Sequence, residues 1–190
     1  GHLGPAITQL FMEVRTLEYW RGVAEAGGIP TRRPVRILAY HAITDLVNDP
    51  VLKSYGVPPE LFRRHLQTLQ RIGCHFIAAD ELRRYLYDGA GLPRRAVLLT
   101  FDDCYQDFVD AAMPILRTYN IPAVAFVVTG QIGGTNVWDT AIGGATLPLL
   151  GVNDLQKLPQ EGIEVGAHTR THRPLNQLSA AELQEELAGS

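Results

Sequence analysis

The spacing of apolar positions changes repeatedly along the chain between two periods, one for strands and one for helices. VRILAYHAI (35–43), HFIAA (75–79), AVLLTFDD (96–103), PAVAFVVTG (122–130) and IEVGAH (163–168) are short apolar runs that predict strands. In PPELFRRHLQTLQRIG (58–73), Phe62, Leu66 and Leu69 recur at helical spacing, with Pro59 in the first turn. DELRRYLYDG (80–89) predicts a helix opened by Asp80. YQDFVDAAMPILRTYN (105–120) predicts a helix kinked at Pro114. NDLQKLPQEG (153–162) predicts a short helix capped by Asn153, and SAAELQEELAGS (179–190) opens with a Ser179–Glu182 capping box. The glycine-rich stretch between residues 130 and 151 has no clear period. Loops of that length in compact domains often carry function.

Strands alternating with helices, and strands apolar on both faces, predict an α/β fold with a covered parallel sheet. The alternatives at this point are an open doubly wound sheet and a β/α barrel. Upstream of the alternation, Ile7, Leu10, Phe11, Val14 and Leu17 fall at helical spacing and Gly27-Gly28 would end the helix. The expected organisation is a helical segment or linker over 1–33 and one domain over 34–190. The segment is either packed on the domain or a junction to something upstream.

Composition narrows the function classes. The 190 residues carry a net charge of −3, so no basic nucleic-acid-binding domain is expected. No apolar run reaches the roughly 18–20 residues of a transmembrane helix, and no secretory signal opens the sequence. Cys74 and Cys104 match neither a disulfide framework nor a zinc-ligand spacing. Neither the G-x-G-x-x-G nor the P-loop signature follows a strand.

In parallel β/α folds functional groups gather at the C-terminal ends of strands. Here those ends carry His41, the pair Asp102-Asp103, and His168 with His172 four residues on. If His168 and His172 span one helical turn, both imidazoles can reach one ion. Otherwise they are two exposed loop histidines. One aspartate of the pair could cap a helix starting near Tyr105, but capping explains two aspartates poorly. Two histidines and one carboxylate make a three-ligand site with room for water, leaving the second carboxylate to act as a base.

LLTFDDCYQDF and the later AHTRTH, in that order and at strand ends, resemble the polysaccharide deacetylases with the NodB homology domain (carbohydrate esterase family 4). ILAYHAI and Phe62–Gly73 resemble the branch acting on poly-N-acetylglucosamine. The resemblance covers about residues 34–190. It implies a distorted (β/α) barrel, incomplete at its C-terminus in this chain. Asp102 matches the catalytic base, and Asp103, His168 and His172 match the ligands of one divalent metal ion, zinc or another. The implied reaction is N-deacetylation of a polysaccharide or oligosaccharide, and the implied setting is the cell envelope. The alternatives are a small cyclic amide or imide hydrolase on the same scaffold and a non-catalytic carbohydrate-binding remnant.

The family's later motifs include an arginine segment, an oxyanion donor and a general-acid histidine. None of them can be placed in this chain. Cys104 stands where the family usually has glycine and is expected to narrow the site; a nucleophilic role lacks a partner base. Cys74 is expected to be a buried filler, His41 to line the site, and His65 to be structural or exposed. Trp138-Asp139 is expected either to contact sugar or to anchor its loop. Arg170 and Arg173 are expected to bind an anionic polymer or to be exposed.

Overall fold

The computed structural model describes residues 35–190. The helix expected over 1–33 lies outside the described residues. Among the described residues there are five strands: β1 (Arg36–Tyr40), β2 (His75–Phe76), β3 (Ala96–Phe101), β4 (Ala123–Val127) and β5 (Ile163–Ala167). The pairings between these strands are all parallel, in the order β1-β3-β4-β5 with β2 also on β3. β1 runs beside β3 from Val97 to Phe101. β2 at Ala96–Val97 and β4 at Thr100–Phe101 must therefore share the opposite edge of β3. No pairing joins β1 to β5 among the described residues.

β3 is the centre of this arrangement, and all six of its residues are buried. Its alternation divides the core in two. Val97, Leu99 and Phe101 enter the larger cluster with Phe62, Leu66, Phe108 and Leu116, whereas Ala96 and Leu98 join Ile77, Leu92 and Val124. Phe101 lies 4.8–5.7 Å, ring to ring, from Tyr40, Phe62 and Phe108. Such aromatic pairs add about 0.5–1.5 kcal/mol each beyond area burial. The last strand residue before Asp102-Asp103 is thus clamped from three sides.

The helices cover the sheet with several departures from the sequence pattern. α1 (Pro59–Arg71) starts with proline in its first turn and buries Phe62 and Leu66. α2 (Ala79–Tyr87) is capped at Ala78 rather than by Asp80. Its first N–H groups are satisfied by Glu81 and by Glu164 of β5, while Asp80 pairs with Arg83 and Arg84. A remote carboxylate thus does what the local aspartate was expected to do.

The 105–120 helix begins late, as a π turn over Phe108–Ala112 that passes into α3 (Met113–Tyr119). Pro114 has no N–H to donate and sits at the start of α3, so the chain absorbs it by changing helix type. α4 (Val137–Thr140) lies inside the glycine-rich loop. α5 (Val152–Leu155) is capped at Gly151, not Asn153, and gives way to a 3-10 turn over Leu158–Glu161 around Pro159. α6 (Ala180–Ala188) carries the expected capping box: Ser179 Oγ accepts from Glu182 N, and Glu182 Oε2 accepts from Ser179 N. No helix among the described residues is long and apolar enough to cross a membrane.

Candidate metal centre

Asp102 and Asp103 leave β3 as the chain turns sharply. Asp102 N still donates to Tyr40 O at 2.9 Å, which keeps it on the strand path. Asp103 and Cys104 then adopt φ of 68° and 56°. That left-handed region is disfavoured for side-chain-bearing residues and typically costs about 1–3 kcal/mol per residue. The turn drives the Asp103 carboxylate inward, where it is 4% exposed, while Asp102 stays half-buried on the rim.

Across from it, β5 ends at Ala167 and the chain enters the loop bearing the two histidines. The loop is not a helical turn, contrary to the i, i+4 expectation. Thr169 and His172 each take φ of 61°, and these two reversals fold the loop back on itself. The imidazoles still meet, with ring centroids 5.0 Å apart.

Asp103 Oδ1 lies 3.5 Å from His168 Nε2 and 3.2 Å from His172 Nε2. It is buried and has no hydrogen-bond partner. A buried carboxylate oxygen without one is costly. One ligand atom from each of the three residues lies within 4.8 Å of the others. Three ligands bound at about 2.0–2.2 Å around a tetrahedral ion stand about 3.3–3.5 Å apart. The donor set and its spacing therefore fit a divalent ion of zinc type. Burial raises the Asp103 carboxyl, but His172, then the charges of His41 and His168, more than offset it, and the net direction is down. Burial lowers His172, and Asp103 reverses that, so its net direction is up. An ion here would compete with a proton on His172.

The other residues singled out in the sequence take definite places. His41 lines the rim, its Nε2 3.9 Å from Asp102 Oδ2 and its ring against Tyr55. His65 is half-buried at 3.3 Å from the Tyr40 hydroxyl, beneath the rim. Cys104 does not narrow the site: its side chain points into the core cluster, and burial, then Asp103 and Asp102, push its thiol well above the usual range. Cys74 is partly buried against the same cluster. Arg170 pairs with Glu185 at 2.6 Å and Arg173 with Glu182 at 2.8 Å, so both are engaged by α6.

Trp138 stacks on His172, ring centroids 4.4 Å apart at 28°. Its neighbour Asp139 accepts from the Tyr105 hydroxyl and from Asn136 Nδ2, both at 3.1 Å. Asn136 is fully buried and also bonds Ala145 O and Leu147 N. Leu150 N donates to Cys104 O and Gln106 N to Pro148 O, which stitches the glycine-rich loop to the segment after Asp103. The sequence signal for this loop was its length; its contact with His172 has no local signature.

The sequence profile of the polysaccharide deacetylase family matches residues 89–190, which span both aspartates and both histidines. The chain belongs to this family. It is 32% identical over 119 residues to a poly-β-1,6-N-acetyl-D-glucosamine N-deacetylase of Staphylococcus epidermidis, covering 62% of this chain and 38% of that protein. It is 29% identical over 164 residues to a putative polysaccharide deacetylase of Bacillus subtilis, covering 85% of this chain and 52% of that protein. The chain thus spans between about two fifths and about half of these relatives. Among solved structures, IcaB from Ammonifex degensii superposes with a TM-score of 0.69 at 24% identity, covering 83% of this chain and 66% of that one. The Streptococcus pyogenes deacetylase PplD, solved with acetate, gives 0.64 at 27% identity, covering 85% and 66%. The fold is the parallel-sheet α/β fold of these deacetylases.

Proposed function

We propose that the chain carries the metal-binding and base-bearing part of an N-deacetylase acting on a polysaccharide built from N-acetylglucosamine-type units. The observation that carries this reading is the buried Asp103 Oδ1, without a hydrogen bond and facing two imidazole nitrogens at 3.2 and 3.5 Å. Asp103, His168 and His172 would hold a zinc-type ion, which when bound supplies Lewis-acid stabilisation of an acyl oxygen and makes water more acidic.

The chain's own residues divide the remaining work. Asp102 sits one residue from the ligand carboxylate but half-exposed on the rim, so it is placed to take a proton from an attacking water. His41, 3.9 Å away, helps orient that carboxylate. Trp138 covers one face of His172 and limits its ring rotation. Polymer specificity is supported by the names of the relatives, two of which act on or are assigned to polysaccharide.

The test is acetate release by the zinc-loaded chain, alone and within any longer protein that carries it. N-acetylglucosamine oligomers are compared with small cyclic amides. Asp102→Asn should lower turnover by at least 100-fold while leaving zinc bound. Hydrolysis of cyclic amides without deacetylation of oligomers would overturn the reading, as would full turnover by the Asp102→Asn variant.

A further inference from the structure

Glu186 is a carboxylate in the last helix, outside both motifs, yet only 4% of it is exposed. It accepts from Arg170 N at 3.2 Å, from Thr171 N at 2.8 Å and from the Thr171 hydroxyl. Arg170 N also reaches the Glu186 main-chain oxygen at 3.2 Å. All of these donors lie between His168 and His172. We infer that Glu186 is a positioning residue for the two histidines, holding the loop whose shape aims their Nε2 atoms at Asp103. The inference rests on the reading of that triad as a metal site.

The loop needs such a hold. Thr169 and His172 both carry side chains in the left-handed region, and strained backbone persists only where its surroundings over-determine it. From one side the 3-10 turn after β4 (Thr129–Gln131) supplies part of the restraint, with Thr129 N donating to Thr169 O and Gly130 N to Arg170 O. From the other side Glu186 gathers the N–H groups of the residues between the reversals. Bonds to a charged acceptor are about twice as strong as neutral ones. Removing the carboxylate would strand the Thr171 N–H and hydroxyl in a half-buried setting and leave Arg170 N with only the Glu186 main-chain oxygen.

The capping box explains how Glu186 arrives there. Ser179 and Glu182 fix where α6 begins, and Glu186 stands one turn after Glu182 on the same face. The exposed pairs Arg170–Glu185 and Arg173–Glu182 run beside this contact but are solvated and worth little. In metal sites, groups that orient the ligands commonly tune affinity by 10–100-fold.

The experiment measures zinc affinity of the full 190-residue chain by competition with a chromophoric chelator, with the melting temperature of each metal-free variant beside it. Glu186→Ala should bind zinc roughly 10–100-fold more weakly, and Glu186→Gln, which keeps one acceptor oxygen, should fall between it and the unmodified chain. Thr171→Val, which keeps the side-chain shape and removes one donor, should lose several-fold and carries the test with Glu186→Gln if the alanine variant does not fold. Glu185→Gln, the neighbour on α6, should stay within about twofold. Unchanged affinity in Glu186→Gln and Thr171→Val, with zinc lost in Asp103→Ala, would overturn the positioning role. An equal loss in Glu185→Gln would also overturn it, by assigning the effect to the docking of α6 as a whole. An unmodified chain that binds no zinc would instead overturn the triad reading beneath it.

Discussion

Asp103 faces His168 and His172 across 3.5 and 3.2 Å, but the two sides of that gap are built differently. The aspartate side grows out of the best-packed strand in the molecule. β3 is buried along its whole length, Phe101 is clamped by three aromatic rings, and the Cys104 side chain is sunk into the same core. The histidine side hangs from β5, whose alternate positions are exposed, and continues into a loop with two left-handed residues. The loop's residues join none of the apolar core clusters among the described residues. Its fixity comes from hydrogen bonds to β4 and α6 and from the Trp138 ring. Asp103 is placed by packing and the two histidines by polar contacts, so mutations on the two sides should separate affinity from stability in opposite ways.

The largest effect on metal binding should follow Asp103→Ala. It removes the oxygen on which both imidazoles converge, so zinc bound at stoichiometric concentration should fall from one equivalent to near none by equilibrium dialysis. The metal-free protein should keep its fold, because the aromatic clamp on Phe101 lies two residues deeper. Loss of folding with loss of metal would mean the aspartate side is not seated by the core as described.

Gly130→Ala should come next and strikes the other side. A Cβ there would lie 2.6 Å from Arg170 O, a backbone atom that cannot swing away. The histidine loop would have to move off the turn after β4, at a cost of about 1–3 kcal/mol in urea denaturation. Zinc affinity should drop at least 10-fold, even though neither histidine nor Asp103 has changed. Affinity held at the original level would show that the loop position is not set by its approach to that turn.

How much of this was readable in the sequence follows the same division. The strand ends, the alternation that buries β3 and the capping box of α6 are local patterns of period 2, period 3.6 and three-residue spacing, and they appear where expected. So does the gathering of Asp102, Asp103, His168 and His172 on one rim, because parallel strands deliver their ends to one side. What failed was decided by partners distant in sequence. The cap of α2 comes from Glu164, 85 residues away. The helical turn expected between His168 and His172 is overridden by β4 and by Glu186. Cys104 was expected in the site and is in the core, because its φ of 56° turns the side chain away. No periodicity encodes these long-range acceptors.

A smaller effect on the histidine side should follow Trp138→Ala. The stack at 4.4 Å restrains the His172 ring, and aromatic pairs of this kind contribute about 0.5–1.5 kcal/mol. Zinc affinity should weaken roughly two- to tenfold, and Trp138→Phe should recover most of it. A loss as large as that of Gly130→Ala would give Trp138 a role beyond restraining one ring.

The smallest effect on metal binding is expected at Asp107, on the aspartate side, where the readout is stability instead. Asp107 Oδ1 accepts from Ile43 N at 3.0 Å, tying the segment after β1 to the segment after β3. Burial raises its carboxyl to about 6, with the Ile43 N–H opposing and Asp110 adding to the rise. The folded state therefore binds more protons than the unfolded state between roughly pH 4 and 6. In that window the stability contributed by Asp107 is complete at the low end and is lost as pH rises. Asp107→Asn keeps an acceptor for Ile43 N and cannot ionise, so the variant should gain on the unmodified chain as pH rises from 4 to 7. The gain should be on the order of 1–2 kcal/mol in urea denaturation of the metal-free protein. Zinc affinity at pH 7 should stay within about twofold, since the carboxylate faces Ile43 N and not the imidazoles. A constant difference between the two proteins across that pH range would mean that Asp107 ionises at its ordinary value. The packed side of the site would then hold this half-buried carboxylate at no cost in stability.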